Sequence, residues 1–254
     1  MGSMLLHNLI LHAERTSASR PAIIDGASVR DYRETAARIR RAAAGLSGLG
    51  LAPGKHVAII DANTASFYEA YFALSLAGLT AVPVNTRLSP PEVRFVLEDS
   101  ECAAVLVGKA AAGLAETGGD RRVFSLGDEQ DSDWNDMIRS SAPLETPRGP
   151  QDEDSIAHIF YTGGTTGRSK GVMLSHRNVV SSAMNKIMLG GFARDDIWLH
   201  AAPMYHQADA WAVLSFTALG AGHVFMPSFH PARTLHLIET LGITGVQLVP
   251  TMVF

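Results

Sequence analysis

The chain has 254 residues, 46% of them hydrophobic, a formal net charge of -4 and a mean hydropathy of +0.10, which describes a globular protein with material for one large domain or two small ones. A mildly acidic balance without a lysine-arginine block excludes a nucleic-acid-binding surface as the main function. Cys102 stands alone, which excludes a disulfide framework and cysteine-rich metal sites and favours a cytoplasmic setting.

Helix and strand patterns alternate along the chain. Met1 to Arg15 lacks a basic leader, so no secretory signal is expected. Asp31 opens a helix with Glu34 three residues on, and Tyr32, Ala36, Ile39, Ala43 and Leu46 keep one apolar face until Gly48 and Gly50 end it. Val57 to Ile60 reads as a short buried strand, Ser66 to Ala77 as a helix and Thr80 to Val84 as the next strand. The apolar stretch Ala70 to Val84 is broken by Ser75, Gly78, Thr80 and Pro83, so it is a poor membrane span. Ser89-Pro-Pro-Glu92 is a capping box with proline in the first turn, opening a helix to about Asp99, and Ala103 to Val107 returns to strand.

Between Ala142 and Asp154 proline, glycine and acidic residues accumulate, which reads as a surface linker in which Asp152, Glu153 and Asp154 form a solvated acidic turn. Past residue 175 the pattern predicts helices over Asn178 to Leu189, Ala210 to Leu219 and Pro231 to Leu241, alternating with strands over Ile197 to Ala201, His223 to Met226 and Gly245 to Val249. Such alternation implies an α/β protein with parallel sheets covered by helices. Periodicity by itself leaves a doubly wound sheet and an eightfold barrel both open.

The run Tyr161-Thr-Gly-Gly-Thr-Thr-Gly-Arg-Ser-Lys-Gly171 has a composition that demands a chemical explanation. Three glycines, three threonines and a lysine fall within the nine residues from Thr162 to Lys170. Glycines let successive backbone N–H groups converge on one anion, threonine hydroxyls add donors, and Lys170 adds a mobile positive charge. The run is thus a candidate polyphosphate loop, with a polar hairpin loop as the alternative. It is no Walker loop, since five residues after Gly163 comes Arg168 and five after Gly164 comes Ser169. It is no dinucleotide fingerprint either, because the glycines read G-G-x-x-G and a strand follows.

Continued through Val172-Met-Leu-Ser-His176, this run resembles the signature loop of the adenylate-forming superfamily, which includes acyl-CoA synthetases, firefly luciferase and the adenylation domains of nonribosomal peptide synthetases. Gly163 stands where that family more often has serine, and Ser169 where it more often has proline. Tyr32-Arg-Glu-Thr-Ala36, Leu49-Gly-Leu-Ala-Pro-Gly-Lys-His-Val-Ala-Ile59 and Leu76-Ala-Gly-Leu-Thr-Ala-Val-Pro-Val-Asn-Thr-Arg-Leu-Ser-Pro90 resemble further blocks of acyl-CoA synthetases, in a form closer to fatty-acyl or aryl-CoA synthetases than to amino-acid-activating domains. Ala201-Ala-Pro-Met-Tyr-His-Gln-Ala-Asp209 resembles the aromatic-His motif bordering the acyl substrate.

The resemblance implies layered parallel sheets with helices between and outside them. It makes residues 4–141 a first α/β subdomain, 142–154 a linker, and 155–254 the signature loop with the start of a second. It implies that Thr162, Gly163, Gly164, Thr165, Thr166, Gly167 and Lys170 hold the ATP phosphates and that Tyr205 and His206 border the acyl pocket, His206 orienting the carboxylate or gating the pocket. Without that motif, His206 would read as an ordinary surface histidine. Arg168 is expected to be exposed, Trp198 and Trp211 to be packing residues, and His200 and His206 to be too isolated for a zinc site.

The implied reaction is a fatty or other carboxylic acid plus ATP giving acyl-AMP and pyrophosphate, with Mg²⁺, followed by transfer to coenzyme A. Delivery to a carrier protein and a non-catalytic nucleotide-binding role are the alternatives. Family members are longer and place an adenine-binding segment, a magnesium-holding glutamate, a ribose-binding aspartate and a C-terminal domain with the catalytic lysine beyond the counterpart of Phe254. Thr165 with such a glutamate is the candidate magnesium set, and no catalytic residue is assigned within the chain. The chain therefore reads as an N-terminal part of an acyl-CoA synthetase, expected by itself to be inactive, to bind ATP weakly and to self-associate through an unpaired sheet edge.

Overall fold

The computed structural model describes residues 3–26, 28–149, 152–163 and 168–253. In chain order the elements are α1 (His7–Ser17), β1 (Pro21–Asp25), β2 (Ser28–Asp31), α2 (Tyr32–Gly48), β3 (His56–Ile60), α3 (Ala65–Leu76), β4 (Thr80–Pro83), α4 (Pro90–Asp99) and β5 (Cys102–Gly108). After 3-10 turns over Lys109–Gly118 come β6 (Arg122–Leu126), α5 (Asp133–Ser140), β7 (Ile156–Thr162), β8 (Lys170–Ser175), α6 (His176–Gly190) and β9 (Ile197–His200). α7 (Gln207–Leu219), β10 (Gly222–Phe225), α8 (Pro231–Leu241), β11 (Gly245–Val246) and α9 (Pro250–Val253) complete the order.

The strands form two sheets, ordered β11-β9-β10-β1-β2 and β6-β5-β3-β4-β7-β8. This is the expected layered α/β architecture with one amendment: the β1–β2 and β7–β8 pairs are antiparallel, so both sheets are mixed. β1 and β2 stand in the sheet of β9 to β11, whereas β7 and β8 extend the sheet of β3 to β6, so neither sheet lies on one side of residues 142–154. That segment is tied down rather than loose. Leu144 donates its amide to the Arg40 carbonyl at 3.0 Å and Arg148 donates its own to the Leu76 carbonyl at 2.9 Å. The acidic turn is likewise engaged: Arg177 pairs with Glu153 at 2.9 Å and with Asp154 at 2.8 Å, and Glu153 accepts the Met4 amide at 2.6 Å.

Local chemistry explains the ends of the helices. Asp31 accepts the Glu34 amide to start α2, and the Ser89–Glu92 capping box opens α4 as its sequence requires. α3 and α7 are apolar nearly all round and are buried on every face, as helices between two sheets must be. β11 is shorter than the Gly245 to Val249 stretch expected of it. It pairs with β9 only through Gly245↔Trp198 and Val246↔Leu199, and β9 itself ends at His200, leaving later residues without a partner strand.

One charge lies at the centre of the first helical layer. Glu69 of α3 is fully buried, with Arg38 of α2 donating from Nε at 2.6 Å and Nη2 at 3.2 Å, Arg30 of β2 at 3.2 Å, and the Trp134 indole of α5 at 3.1 Å. A buried carboxylate is tolerated only when so compensated, and removing it takes the acceptor from the Trp134 indole and leaves Arg30 and Arg38 to share Asp128. Glu69→Ala is therefore expected to lower the unfolding free energy by about 3–5 kcal/mol. Urea denaturation measures this, and a loss under about 1 kcal/mol, the range of an exposed pair, would contradict it.

Candidate active site

β7 and β8 form a hairpin in which Thr162 lies opposite Lys170, so residues 163–169 close its tip. The strand after the glycine-threonine run is therefore the return arm of a hairpin. Of the expected phosphate-binding residues, Thr162 and Lys170 are exposed at the hairpin end and Gly163 follows them; Gly164, Thr165, Thr166 and Gly167 lie outside the described residues. A Cβ at Gly163 would meet nothing within 4 Å, so the serine more usual at this position has room, and its replacement removes a hydroxyl without altering the packing. The base of the hairpin is fixed by Tyr161, whose hydroxyl donates to Asp99 of α4 at 2.6 Å. Burial, followed by the nearby Asp99 carboxylate, pushes the Tyr161 phenol up from its ordinary value. His176, at the end of the signature run, faces the other way: its Nδ1 accepts the Leu6 amide at 3.1 Å.

A cavity of about 440 Å³ opens beside this hairpin. Tyr161, Gly163, Arg168 and Ser169 form one wall, Val84 and Asn85 after β4 and Phe95 of α4 form the floor, and Tyr205 and His206 form the facing wall. Arg168 is exposed, as expected, yet its guanidinium lies 5.3 Å from the centroid of the Phe95 ring, which places a permanent cation on the cavity rim. Tyr205 is buried and His206 exposed, their rings 6.2 Å apart. His206 occupies the N-cap position of α7 without capping it through its side chain, so the imidazole is left to the cavity.

The segment carrying Tyr205 and His206 is irregular backbone, and buried polar groups hold it. Asn63, in the loop between β3 and α3, is 2% exposed; its Nδ2 donates to the carbonyls of His200 at 2.8 Å and Ala202 at 2.7 Å, and its Oδ1 accepts the Met204 amide at 2.8 Å. Tyr71 of α3 donates to the Met204 carbonyl at 2.8 Å. Neither residue is marked by sequence pattern: Asn63 reads as one polar residue among Asp61, Asn63 and Thr64, and Tyr71 as one more apolar position of α3. His200, which looks isolated in sequence, bonds Asp209 and His223. Trp198 and Trp211 pack with Phe192 and Phe216, as expected of packing residues.

A larger cavity, about 800 Å³, lies at the C-terminal ends of β3, β5 and β6 and includes none of the hairpin residues or Tyr205 and His206. Asp61 on its wall sits directly over Gly108, where a Cβ would come within 1.9 Å of the carboxyl group, so the close approach of β3 and β5 requires glycine. Burial pushes the Asp61 carboxyl up to about 6, against the opposing hydrogen bond from the Thr64 hydroxyl at 2.7 Å. Among the described residues no three His, Cys, Asp or Glu side chains are grouped to hold a metal ion, and Thr165, the candidate magnesium ligand, lies outside the described residues. No helix is long and apolar enough to cross a membrane among the residues described.

Known proteins resemble the chain in sequence and in fold. The AMP-binding enzyme family matches residues 11–253, and the chain belongs to that family. Over 240 residues it is 33% identical to a feruloyl-CoA synthase from Amycolatopsis sp, covering 94% of this chain and 47% of the relative. Its fold matches a long-chain-fatty-acid-CoA ligase from Archaeoglobus fulgidus with a TM-score of 0.90 at 26% identity, over 98% of this chain and 52% of that one. An o-succinylbenzoate CoA synthetase from Bacillus subtilis, solved with its acyl-adenylate intermediate, gives 0.86 at 26% identity over 97% and 62%. The chain spans about half the length of the curated relatives it matches.

Two outcomes test this description. Asn63→Asp should destabilise the chain more than Asn63→Ala, because it sets a carboxylate against the two carbonyls that Nδ2 now serves; equal losses in urea would contradict the bridging role. For Asp61, a folded-state value raised from 3.8 to about 6 means stability is fully present below 3.8 and lost as pH rises through 6, by at most about 3 kcal/mol. Asp61→Asn should flatten stability across that window and gain on the wild type above it; parallel pH profiles would rule this out.

Proposed function

We propose that the protein activates a carboxylic acid with ATP, forming an acyl-adenylate and releasing pyrophosphate, and passes the acyl group to coenzyme A. The observation that carries this reading is the single cavity walled on one side by the signature hairpin and on the other by Tyr205 and His206. Support comes from the relatives named above, which are CoA ligases and include one solved with an acyl-adenylate. The largely apolar floor, Val84 and Phe95, suits an acid with an apolar tail, aliphatic or aryl. A cytoplasmic setting belongs to the same reading and rests on the lone buried thiol of Cys102.

Attack of a carboxylate on the α-phosphorus requires in-line positioning and neutralisation of phosphate charge, with no protein nucleophile. The hairpin tip, from Thr162 to Lys170, is suited to the phosphates: backbone amides and hydroxyls for hydrogen bonds, Lys170 for the charge that develops on departing pyrophosphate. Arg168 adds a second cation, on the cavity rim beside Phe95. On the facing wall, the free imidazole of His206 orients the acid; a general base is unnecessary, since a carboxylic acid is already ionised at neutral pH. Tyr205, buried against the fold, sets the position of that wall.

Hydroxamate trapping with a panel of aliphatic and aryl acids tests the reading on the intact protein. ATP-dependent hydroxamate from at least one acid is expected, with Lys170→Ala lowering kcat/KM for ATP by about 100-fold. No product from any acid, or an unimpaired Lys170→Ala variant, would refute it.

A further inference from the structure

Behind the Tyr205–His206 wall runs a buried hydrogen-bond chain that neither the family signature nor the proposed chemistry accounts for. Asp209, in the first turn of α7, is fully buried and accepts the Trp198 indole N–H at 3.0 Å through one oxygen, while the other lies 2.5 Å from Nδ1 of His200 at the end of β9. Nε2 of His200 lies 2.9 Å from Nδ1 of His223 on β10, and the two rings stack 5.2 Å apart with 10° between their planes. Nε2 of His223 is 3.2 Å from the Thr217 hydroxyl, which is itself 2.8 Å from the Tyr68 hydroxyl.

The protons of this chain can be counted. An ionised Asp209 only accepts and the indole only donates, so His200 must carry its proton on Nδ1. Its Nε2 faces Nδ1 of His223, whose Nε2 faces the Thr217 hydroxyl, and that hydroxyl donates to the Val213 carbonyl at 2.7 Å. Tyr32 takes no part as a donor, because its hydroxyl proton goes to the Ala221 carbonyl at 2.6 Å. One carboxylate charge is thereby served by an indole, an imidazole N–H and the N-terminal end of α7, and His223 stays neutral. Burial, then the neighbouring His200, drives the His223 imidazole well below its usual value, in keeping with that neutrality.

The position of the chain in the backbone gives it a use. His200 and Asp209 flank the loop 201–208, so their contact staples the base of the loop that bears Tyr205 and His206. The amides of Asp209 and Ala210 both bond the His206 carbonyl, at 3.1 and 3.0 Å, so displacement of Asp209 carries His206 with it. We infer that Asp209 and His200 are positioning residues for the acid-binding wall: their contact fixes His206 against the cavity. This rests on the proposed adenylation only for what the wall does. The staple itself stands on the geometry.

Two measurements test the inference separately from the function. Imidazole ¹⁵N NMR of the wild-type protein should find His200 protonated on Nδ1; a neutral Nε2–H tautomer overturns the staple whatever the activity. Asp209→Asn, in which the amide N–H₂ faces His200, should convert His200 to the Nε2–H form. With adenylation measured on the intact protein, Asp209→Asn should lower kcat/KM for the acid by about 10-fold or more, leaving KM for ATP within about two-fold. His200→Asn should do the same, and the double variant should cost no more than the worse single, because the two act as a unit. Equal loss toward acid and ATP, or additive losses in the double variant, would reduce the pair to general fold stability and overturn the positioning role. Wild-type protein inactive toward every acid would instead sink the proposed function and leave the tautomer result to decide the staple.

Discussion

The side-chain amide of Asn63 is the contact on which the site depends. It projects from the loop after β3, in the sheet of β3 to β8, and bonds three backbone groups of the segment that leaves β9, in the other sheet. A segment running between two sheets cannot join either ladder, and its polar groups would be buried without partners. One amide, two donors and an acceptor, supplies what a third strand would otherwise provide. Because the β7–β8 hairpin grows from the Asn63 sheet and the Tyr205–His206 segment from the other, Asn63 ties together the two parts of the chain that line the cavity.

The second fastening works from the opposite side and by a different means. Asn63 holds the first half of loop 201–208 through neutral hydrogen bonds to backbone, whereas Asp209 and His200 close its base through a charge. A neutral bridge tolerates burial cheaply, while a buried carboxylate must be fully compensated, and the compensation here extends through two histidines and a threonine into the middle of the layer. The same logic recurs around Glu69, where a buried carboxylate gathers Arg30, Arg38 and Trp134 from three other elements. In both cases the charge lies within a helix that is otherwise apolar on every face, and it fixes the rotation of that helix where apolar packing by itself would allow several.

What could be read from the sequence follows from how local each signal is. The α2 and α4 starts were legible because their caps are made by residues three apart, Asp31 with Glu34 and Ser89 with Glu92. β3, β4 and β5 were legible as apolar runs, being central strands buried on both faces. β1 and β2 were not: each has at most five residues, and β2 is without buried positions, so its strand character comes from pairing with β1 rather than from its own side chains. The signature run announced itself by composition, and its hairpin form was half visible in the strand that follows. Asn63, Tyr71, His200 and His223 could not announce themselves, since their partners lie 137 residues away for Asn63, 133 for Tyr71 and 23 between the histidines. His200 looked isolated because sequence distance was the only distance available.

The division of labour between the two walls is itself a consequence of these constraints. A phosphate loop gains from glycine and small hydroxyl residues because it must close on a charged ligand, and the hairpin that carries such residues here is tied to α4 where Tyr161 meets Asp99. A wall that orients a carboxylate gains from the reverse, since misplacement of an attacking atom by about 1 Å costs more rate than any single contact restores. The residues that make the difference are far from symmetrical in kind: glycine and threonine on the adaptable side, a buried amide and a buried carboxylate behind the rigid one. The described residues thus line the cavity from a hairpin outside the core, held where Tyr161 meets Asp99, and from a segment stapled into the core by Asn63 and Asp209.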